Sequence, residues 1–247
     1  MDIERVRRAL PGRQIHWHDS VDSTMTAAST LARAGCPEGT AVVAGEQTAG
    51  VGRYGRQWHS PREAGLYVTI VLRAARTPEA LPVMTLAVGV ATRRAILESC
   101  GVECDLRWPN DVLCAGRKCA GILLQLEYGA VLAGIGINVN HEEFPPELAA
   151  TATSLRLATG RKHRREDLLA SLLVAVDEYT EISGEDILRQ FADASSFVHG
   201  KRVSVNQGDR TLSGVTDGLD ASGFLILRGD DGRTSLIVTG GVRPERE

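Results

Sequence analysis

The feature that most restricts this chain is a proline set between two apolar segments, in the run RWPND at residues 107–111. Pro109 lacks a backbone N–H and disfavours a helical conformation of the residue before it, so the run predicts a strand that ends in a tight loop. Asn110 and Asp111 follow at once, and Lys118 comes seven residues later. The loop therefore brings an amide, a carboxylate and an amine close together.

Lys118 is one of only three lysines, which accompany 25 arginines. Lys162 lies in a run of charged residues and Lys201 opens a predicted strand, so both are expected at the surface. The residues after Lys118 are small or apolar, and an ammonium group there needs an anionic partner. We interpret Lys118 as a ligand for a carboxylate or phosphate. The alternative is a lysine whose stem lies along a sheet with its charge in water.

A glycine-rich motif, GVGRYG, occupies residues 50–55. In a dinucleotide-binding protein this pattern opens a helix, but here the chain runs on through Trp58 into a predicted strand. The sequence also lacks the companion motifs of protein kinases. Arg53 and Arg56 suit phosphate oxygens and the indole suits a flat base, whereas a flexible turn with solvated arginines is the alternative.

A third motif is the strand at residues 133–140, in which Gly134 and Gly136 precede Asn138. Glycines within a strand permit close approach by a ligand or another backbone. A bulged core strand explains this segment equally well on its own.

Periodicity predicts an α+β fold with a change of pattern near residue 200. Beyond that point short alternating strands are separated by turn residues, which predicts a small β-barrel. We therefore divide the chain into residues 1–199 and 200–247. The predicted helices are 24–34, with Ser23 as the N-cap, 78–100, 168–182 and 187–191. The predicted strands are 40–44, 66–72, three segments centred on Leu106, Leu124 and Ala133, and then 202–205, 212–216, 224–227 and 235–238.

Composition excludes several classes of protein. A net charge of -3 and a pI of about 6.1 argue against nucleic-acid binding. No apolar run is expected to reach the ~20 residues of a membrane span, and the first residues lack a signal-peptide core. Five cysteines without a disulfide or zinc spacing fit a reducing compartment. We expect a soluble, cytoplasmic protein without a tightly bound transition metal.

Five segments together resemble biotin protein ligase (biotin-[acetyl-CoA-carboxylase] ligase), and the resemblance covers nearly the whole chain. It implies a mixed β-sheet flanked by helices, as in class II synthetases, followed by a C-terminal SH3-like β-barrel. The segments are residues 22–24, 46–58, 107–111, 118–123 and 134–138.

The resemblance also implies a two-step reaction. Biotin and MgATP give biotinyl-5'-AMP and pyrophosphate, and the biotinyl group then passes to one lysine of a biotin carboxyl carrier protein. It implies the short, monofunctional form without an N-terminal DNA-binding domain. We expect a monomer or a weak homodimer.

Matching motifs carry the family's biotin-binding and catalytic roles over to this chain. Lys118 and Arg53 would neutralise the biotin carboxylate and the α-phosphate as they approach. Asp111 would assist deprotonation of the carrier lysine, whose pKa is ~10.4. The resemblance assigns biotin binding to Ser23, Thr24, Gln47, Gly50, Val51, Gly52, Arg53, Lys118 and Gly121.

ATP binding is carried over in the same way. Trp58 would cover the adenine, and Asn138 is also a candidate magnesium ligand. The composition of the glycine loop predicts disorder when no ligand is bound. The resemblance assigns ATP binding to Arg56, Trp58, Asn110, Asp111 and Asn138.

The chain departs from the family pattern at four positions. Val51 and Tyr54 stand where the G-R-G-R-R-G-R loop of the family has arginines, which predicts weaker retention of the intermediate. Met25 replaces a common asparagine, and Arg107 replaces the lysine before W-P-N-D.

Two other functions stay open at this point. A lipoate or octanoate ligase or transferase shares the fold, although the arginine-bearing loop followed by W-P-N-D favours biotin. A non-catalytic biotin-binding module is the alternative of another class. The presence of both Lys118 and Arg53 favours an enzyme.

Overall fold

A computed structural model, which describes residues 1–73, 77–207 and 210–245, contains a mixed seven-stranded sheet. The sheet follows the order β1-β2-β3-β7-β6-β5-β4; β1 and β2 are parallel and the other neighbours are antiparallel. The predicted α+β class with a mixed sheet is confirmed. The strands are β1 (Ile15–His18), β2 (Ala41–Ala44), β3 (Gly65–Leu72), β4 (Asp105–Arg107), β5 (Asp111–Cys114), β6 (Arg117–Glu127) and β7 (Ala130–Asn138).

Four helices lie where the apolar pattern predicted them, whereas those at residues 3–9, 146–149 and 155–159 were not predicted. The helix predicted from residue 24 follows Ser23, whose Oγ accepts the N–H of Met25 at 3.2 Å. Gly101 ends the longest helix in the left-handed conformation. The helices are α1 (Ile3–Ala9), α2 (Thr24–Arg33), α3 (Leu81–Cys100), α4 (Pro146–Ala149), α5 (Leu155–Thr159), α6 (Arg165–Thr180) and α7 (Gly184–Asp193), with 3-10 turns at Arg53–Gly55 and Pro78–Ala80.

The two faces of the sheet are covered unequally. Helices α3 and α6 pack together over one face and bury most of the core, so β3 is buried along its whole length. On the other face, α2 covers only a small apolar cluster that includes Ala28, Val42 and Leu132. The rest of that second face stays available for a site.

The expectation that no apolar run is long enough to span a membrane was wrong by length and composition. Residues Pro78–Cys100 are long and apolar enough to cross one. An 18-residue apolar stretch within this segment is 56% buried inside the fold, where the helix packs against the sheet and α6. A core helix of a soluble protein is buried in the same way.

A five-stranded antiparallel sheet makes up the C-terminal part. Its order is β11-β10-β9-β8-β12, and no hydrogen-bonded ladder closes it into a barrel among the described residues. The predicted β module is therefore present, but the barrel closure is not seen. Trp108 Nε1 donates to the carbonyl of Gly223 at 2.9 Å and links the two sheets. The strands are β8 (His199–Gln207), β9 (Arg210–Leu219), β10 (Leu225–Arg228), β11 (Thr234–Ile237) and β12 (Gly241–Pro244).

Candidate active site

Three glycines on β6 and β7 form the floor of the site. Gly121 pairs with Gly136 across the two strands, and Gly134 lies two residues earlier on β7. A Cβ on Gly136 would lie 2.4 Å from the indole of Trp58, and one on Gly134 would lie 2.7 Å from the sulfur of Met25. The glycines therefore let two large side chains lie directly on the sheet.

One end of the floor carries a chain of hydrogen bonds at the N-terminus of α2. The N–H and the hydroxyl of Thr24 donate to Gln47 Oε1 at 2.8 and 3.0 Å. Gln47 Nε2 donates to Ser60 Oγ at 2.9 Å, and the hydroxyl of Thr69 donates to Thr24 Oγ1 at 2.9 Å. Ser23 caps the helix beside them and is buried. Ordered polar groups at the end of an apolar floor suit the polar ring of a small ligand.

Asp111 fixes Lys118 at the floor. One carboxylate oxygen of Asp111 pairs with Lys118 Nζ, and the other accepts from Arg107 at 2.7 Å. Burial acts to raise the pKa of Asp111, but Lys118 and Arg107 outweigh it and hold that pKa below its ordinary value. A Cβ on Gly121 would lie 3.0 Å from Lys118 Nζ, so the ammonium reaches the floor itself. Asp111 is therefore an ionised anchor with both oxygens engaged.

The glycine loop forms a short hairpin above the floor. The N–H of Trp58 donates to the carbonyl of Gly50 at 2.9 Å, and that of Gly52 donates to the carbonyl of Arg56 at 2.7 Å. Gly50 has no room for a side chain, because a Cβ would lie 2.7 Å from the carbonyl oxygen of Trp58. Arg53 stands at the tip. Loosening of this hairpin in the absence of ligand stays a prediction.

Arg53 is held by the loop that contains Asn110. Arg53 Nη1 donates to Asn110 Oδ1 at 3.0 Å, and Asn110 Nδ2 donates to the carbonyl of Ile122 on β6 at 2.8 Å. Because Asn110 directly precedes Asp111, adjacent residues of one loop hold Arg53 and Lys118. Two cations held by one loop can neutralise two anions brought together beside it.

Trp58 lies on the floor. Lys118 Nζ is 5.3 Å from the centroid of its ring, within the range of a cation–π contact. Its Nε1 is buried and lacks a hydrogen-bond partner among the described residues. The resemblance assigns this indole to the adenine, which stays a prediction, and its position on the glycines also suits the wall of a pocket for an apolar chain.

Three other rings lie close to one another. His59 directly follows Trp58 in the sequence, and His141 and Phe144 come after the end of β7. His141 stacks on Phe144 with centroids 5.0 Å apart, and its ring lies 5.9 Å from that of His59. Both histidines line an open cleft of about 420 Å³. Burial, with a smaller effect of His59, lowers the pKa of His141 to about 4, so its ring is neutral at pH 7. Neutral stacked rings suit a flat heterocycle.

Asn138 acts as a clamp at the end of β7. Its Nδ2 donates to the carbonyl of Thr153 at 3.1 Å and to that of Lys118 at 3.5 Å. The N–H of Lys118 donates to the carbonyl of Thr151 at 2.8 Å. Asn138 therefore holds the backbone that carries Lys118.

The predicted magnesium ligation by Asn138 stays a prediction, which the described residues do not test. They contain no group of histidine, cysteine or acidic side chains placed to hold a metal ion. The carboxylate oxygens of Asp111 are engaged by two cations, and Asn138 directs its amide nitrogen to two carbonyls. We derive no step through a protein-bound magnesium ion.

The structure brings most of the predicted site residues together, but two of them lie apart. Val51 and Arg56 are exposed on the hairpin and do not reach the floor. The residues that meet at the floor or hold its side chains are Ser23, Thr24, Gln47, Gly50, Gly52, Arg53, Trp58, Asn110, Asp111, Lys118, Gly121 and Asn138.

Sequence reasoning missed several residues of the site. Thr69 carried a signal, since it is a hydroxyl in the otherwise mostly apolar run at 66–72. Ser60 carried none, because only the fold brings its hydroxyl to Gln47, and the rings of His59 and His141 line a neighbouring cleft.

Comparison with known proteins gives two family matches and close structural likeness. Residues 17–142 match the biotin/lipoate A/B protein ligase family, and residues 198–242 match the biotin protein ligase C terminal domain. The bifunctional ligase/repressor BirA of Bacillus subtilis (strain 168) is 35% identical over 233 residues, which cover 90% of this chain and 71% of that protein.

Two further relatives extend over almost the whole chain. The biotin--[acetyl-CoA-carboxylase] ligase of Mycobacterium tuberculosis is 33% identical over 255 residues, covering 98% of this chain and 94% of that protein. The structure of the biotin protein ligase from Aquifex aeolicus in complex with biotin and ATP is similar with a TM-score of 0.83 at 30% identity, covering 95% of this chain and 99% of that one.

Proposed function

The chain belongs to the biotin/lipoate A/B protein ligase family, and from this premise we propose that it activates biotin with ATP and transfers the biotinyl group to a lysine of a biotin carboxyl carrier protein. The observation that carries the proposal is that Asp111 and Asn110, adjacent in one loop, hold the two cations Lys118 and Arg53.

The first step joins two anions. A carboxylate oxygen of biotin attacks the α-phosphorus of ATP, the bond from that phosphorus to the bridging oxygen breaks, and biotinyl-5'-AMP and pyrophosphate form. Lys118 and Arg53 neutralise the approaching groups and the negative charge that develops. Asp111 and Asn110 hold these two cations, so little reorganisation is needed during the reaction.

The acyl acid lies along the floor. Its aliphatic chain packs between Trp58 and the glycines of β6 and β7, and its ring meets Thr24 and Gln47. The ureido ring of biotin has N–H and C=O groups for these partners. The dithiolane of lipoate has none, and buried polar groups left unmatched disfavour it. This argument favours biotin over the lipoate alternative.

We assign the adenine of ATP to the open cleft lined by His59, which directly follows Trp58 in the sequence. Magnesium enters with the nucleotide as MgATP, held chiefly by phosphate oxygens, as is usual for this ion.

In the second step the carrier lysine loses a proton to water, its neutral amine attacks the acyl carbon, the bond from that carbon to the phosphate oxygen breaks, and AMP leaves, the second amine proton also passing to water. The two ion pairs of Asp111 and its lowered pKa make it a weak base, so we assign it to positioning Lys118 instead of to this deprotonation. The carrier of acetyl-CoA carboxylase or a related carboxylase is the proposed partner.

We also propose that the protein works in the cytoplasm as a monomer or weak homodimer. All five cysteines are free thiols, which supports a reducing compartment.

The test is a reaction of the purified protein with MgATP, biotin and a carrier domain, with lipoate in parallel and the carrier weighed by mass spectrometry. We expect an ATP-dependent gain of one biotinyl group. Lys118→Ala should reduce biotinyl-AMP formation by at least about 10²-fold, whereas Lys201→Ala, a surface control, should not. A lipoyl gain, or wild-type activity of Lys118→Ala, would refute the assignment.

A further inference from the structure

The hydroxyl of Tyr54 joins the glycine hairpin to the C-terminal sheet. It lies 2.6 Å from the hydroxyl of Thr239 and accepts the N–H of Gly240 at 2.9 Å. Arg53 Nη2 also donates to it at 2.8 Å, while Arg53 Nη1 donates to the carbonyl of Gly240 at 3.4 Å. The tip of the hairpin is thus fastened to residues that lie about 185 positions away in the sequence.

Tyr54 is held in a conformation that a tyrosine rarely adopts. Its φ of 59° lies in the left-handed region, which is unfavourable for a side chain of this size. In this conformation the ring lies 4.8 Å from the guanidinium carbon of Arg53. The ring and the hydroxyl therefore both restrain Arg53, and the contacts to Thr239 and Gly240 offset the strain.

The other side of this link is held by the C-terminal sheet. Gln207 Nε2 donates to the carbonyl of Thr239 at 3.2 Å. Gly240 packs so closely on β8 that a Cβ would lie 2.7 Å from the carbonyl oxygen of Asn206. The 239–240 turn therefore moves with the C-terminal sheet and can hold the hairpin in place.

We propose that Tyr54 is a positioning residue for retention of the acyl-adenylate, and that through it the C-terminal sheet holds the hairpin over this bound intermediate. The inference rests on the proposed function, because Arg53 meets the carboxylate and the α-phosphate there. A fastened hairpin slows escape of the adenylate and keeps water from its mixed anhydride. A loop richer in arginine would hold the adenylate by charge. Here the neutral contacts of the tyrosine hydroxyl supply part of that retention.

The test measures how fast the protein releases biotinyl-AMP. Radiolabelled biotinyl-AMP is formed on the enzyme without carrier and chased with unlabelled biotinyl-AMP. Tyr54→Phe keeps the ring and removes the hydroxyl, and we expect release about tenfold faster. The KM for biotin should change less than about twofold, since the floor is untouched. A general loss of structure would not separate these two quantities.

Thr239 tests the same link from the opposite side. Thr239→Val should accelerate release, Thr239→Ser should restore the wild-type rate, and the Tyr54→Phe, Thr239→Val double variant should release no faster than the faster single variant. Tyr128→Phe is the matched control, because Tyr128 is also exposed, has a φ of 50° and lies 6.0 Å from the guanidinium carbon of Arg33.

The outcomes separate the two proposals. If the wild type forms no biotinyl-AMP, the proposed function fails and the Tyr54 inference fails with it. If the wild type forms the adenylate but Tyr54→Phe releases it no faster than Tyr128→Phe, only the Tyr54 inference is overturned. Fully additive effects of Tyr54→Phe and Thr239→Val would overturn it as well.

Discussion

Replacing Gly136 by alanine should impair biotin use while the protein stays folded. The new Cβ would lie 2.4 Å from the indole of Trp58, and the indole is a rigid ring lying flat on the floor. To reach ordinary van der Waals contact at about 3.5 Å, the ring has to move by about 1 Å. A displacement of about 1 Å in a positioned site costs up to about 10²-fold in rate, so we expect kcat/KM for biotin to fall about 10- to 100-fold. Overpacking should lower the free energy of unfolding by about 1–3 kcal/mol.

Steady-state biotinylation of a carrier domain measures the first effect, and urea unfolding measures the second. Gly134→Ala is a graded control, because its Cβ would meet the sulfur of Met25 at 2.7 Å, and a flexible thioether gives way more easily than an indole. Gly184→Ala is the neutral control, with its nearest neighbour, Val83, at 3.7 Å. An unchanged kcat/KM for biotin in Gly136→Ala would refute the placement of the biotin chain against Trp58.

Three further predictions address other parts of the site. Asp111→Asn removes the anion that holds Lys118, so adenylate formation, measured by pyrophosphate release, should fall about 10²-fold. Transfer from added biotinyl-AMP, measured by the mass of the carrier, should change less. A larger loss in transfer than in adenylate formation would show that Asp111 acts as a base. Thr24→Val breaks the polar chain and should raise the KM for biotin about tenfold, whereas Thr30→Val, on the same helix, should not; equal KM values would contradict the ring placement. His141 has a pKa of about 4 when folded, below its unfolded value of ~6.5, so the unfolded chain binds more protons as pH falls, and stability is lost. Between pH 7 and pH 5 the titration of His141 should lower the free energy of unfolding by about 2 kcal/mol in the wild type, and this contribution should be absent in His141→Phe. Urea unfolding at each pH measures it, and an equal pH dependence of the two proteins would contradict the prediction.

Local patterns in the sequence predicted the elements that depend on local chemistry. The Ser23 hydroxyl accepts a backbone N–H at the start of α2, and Gly101 adopts the left-handed conformation at the end of α3, as their residue types predict. The predicted apolar strand at 66–72 corresponds to β3, because a strand covered on both faces needs a continuous apolar run. Strands β1, β5 and β12, each of four residues, were not predicted.

The site was predictable where motif residues act within their own segment. Asp111 and Lys118 lie on two paired strands, so their ion pair follows from the short loop between them. The position of Trp58 was not predictable, because it depends on Gly136, which lies far along the chain. The link from Tyr54 to Thr239 joins two sheets and leaves no local signal in either segment.

The loop of this protein carries two arginines where the family pattern has four, and that difference predicts weaker retention of the adenylate. The structure supplies an opposing effect at one of the two positions. Tyr54 gives up a charge but gains contacts to a turn held by the C-terminal sheet, and contacts between neutral groups are screened less by salt than an arginine-phosphate attraction across solvent. Val51 is exposed and gains nothing comparable. Retention should therefore depend less on ionic strength here than in a loop with four arginines, because a larger share of the closing free energy comes from the C-terminal sheet.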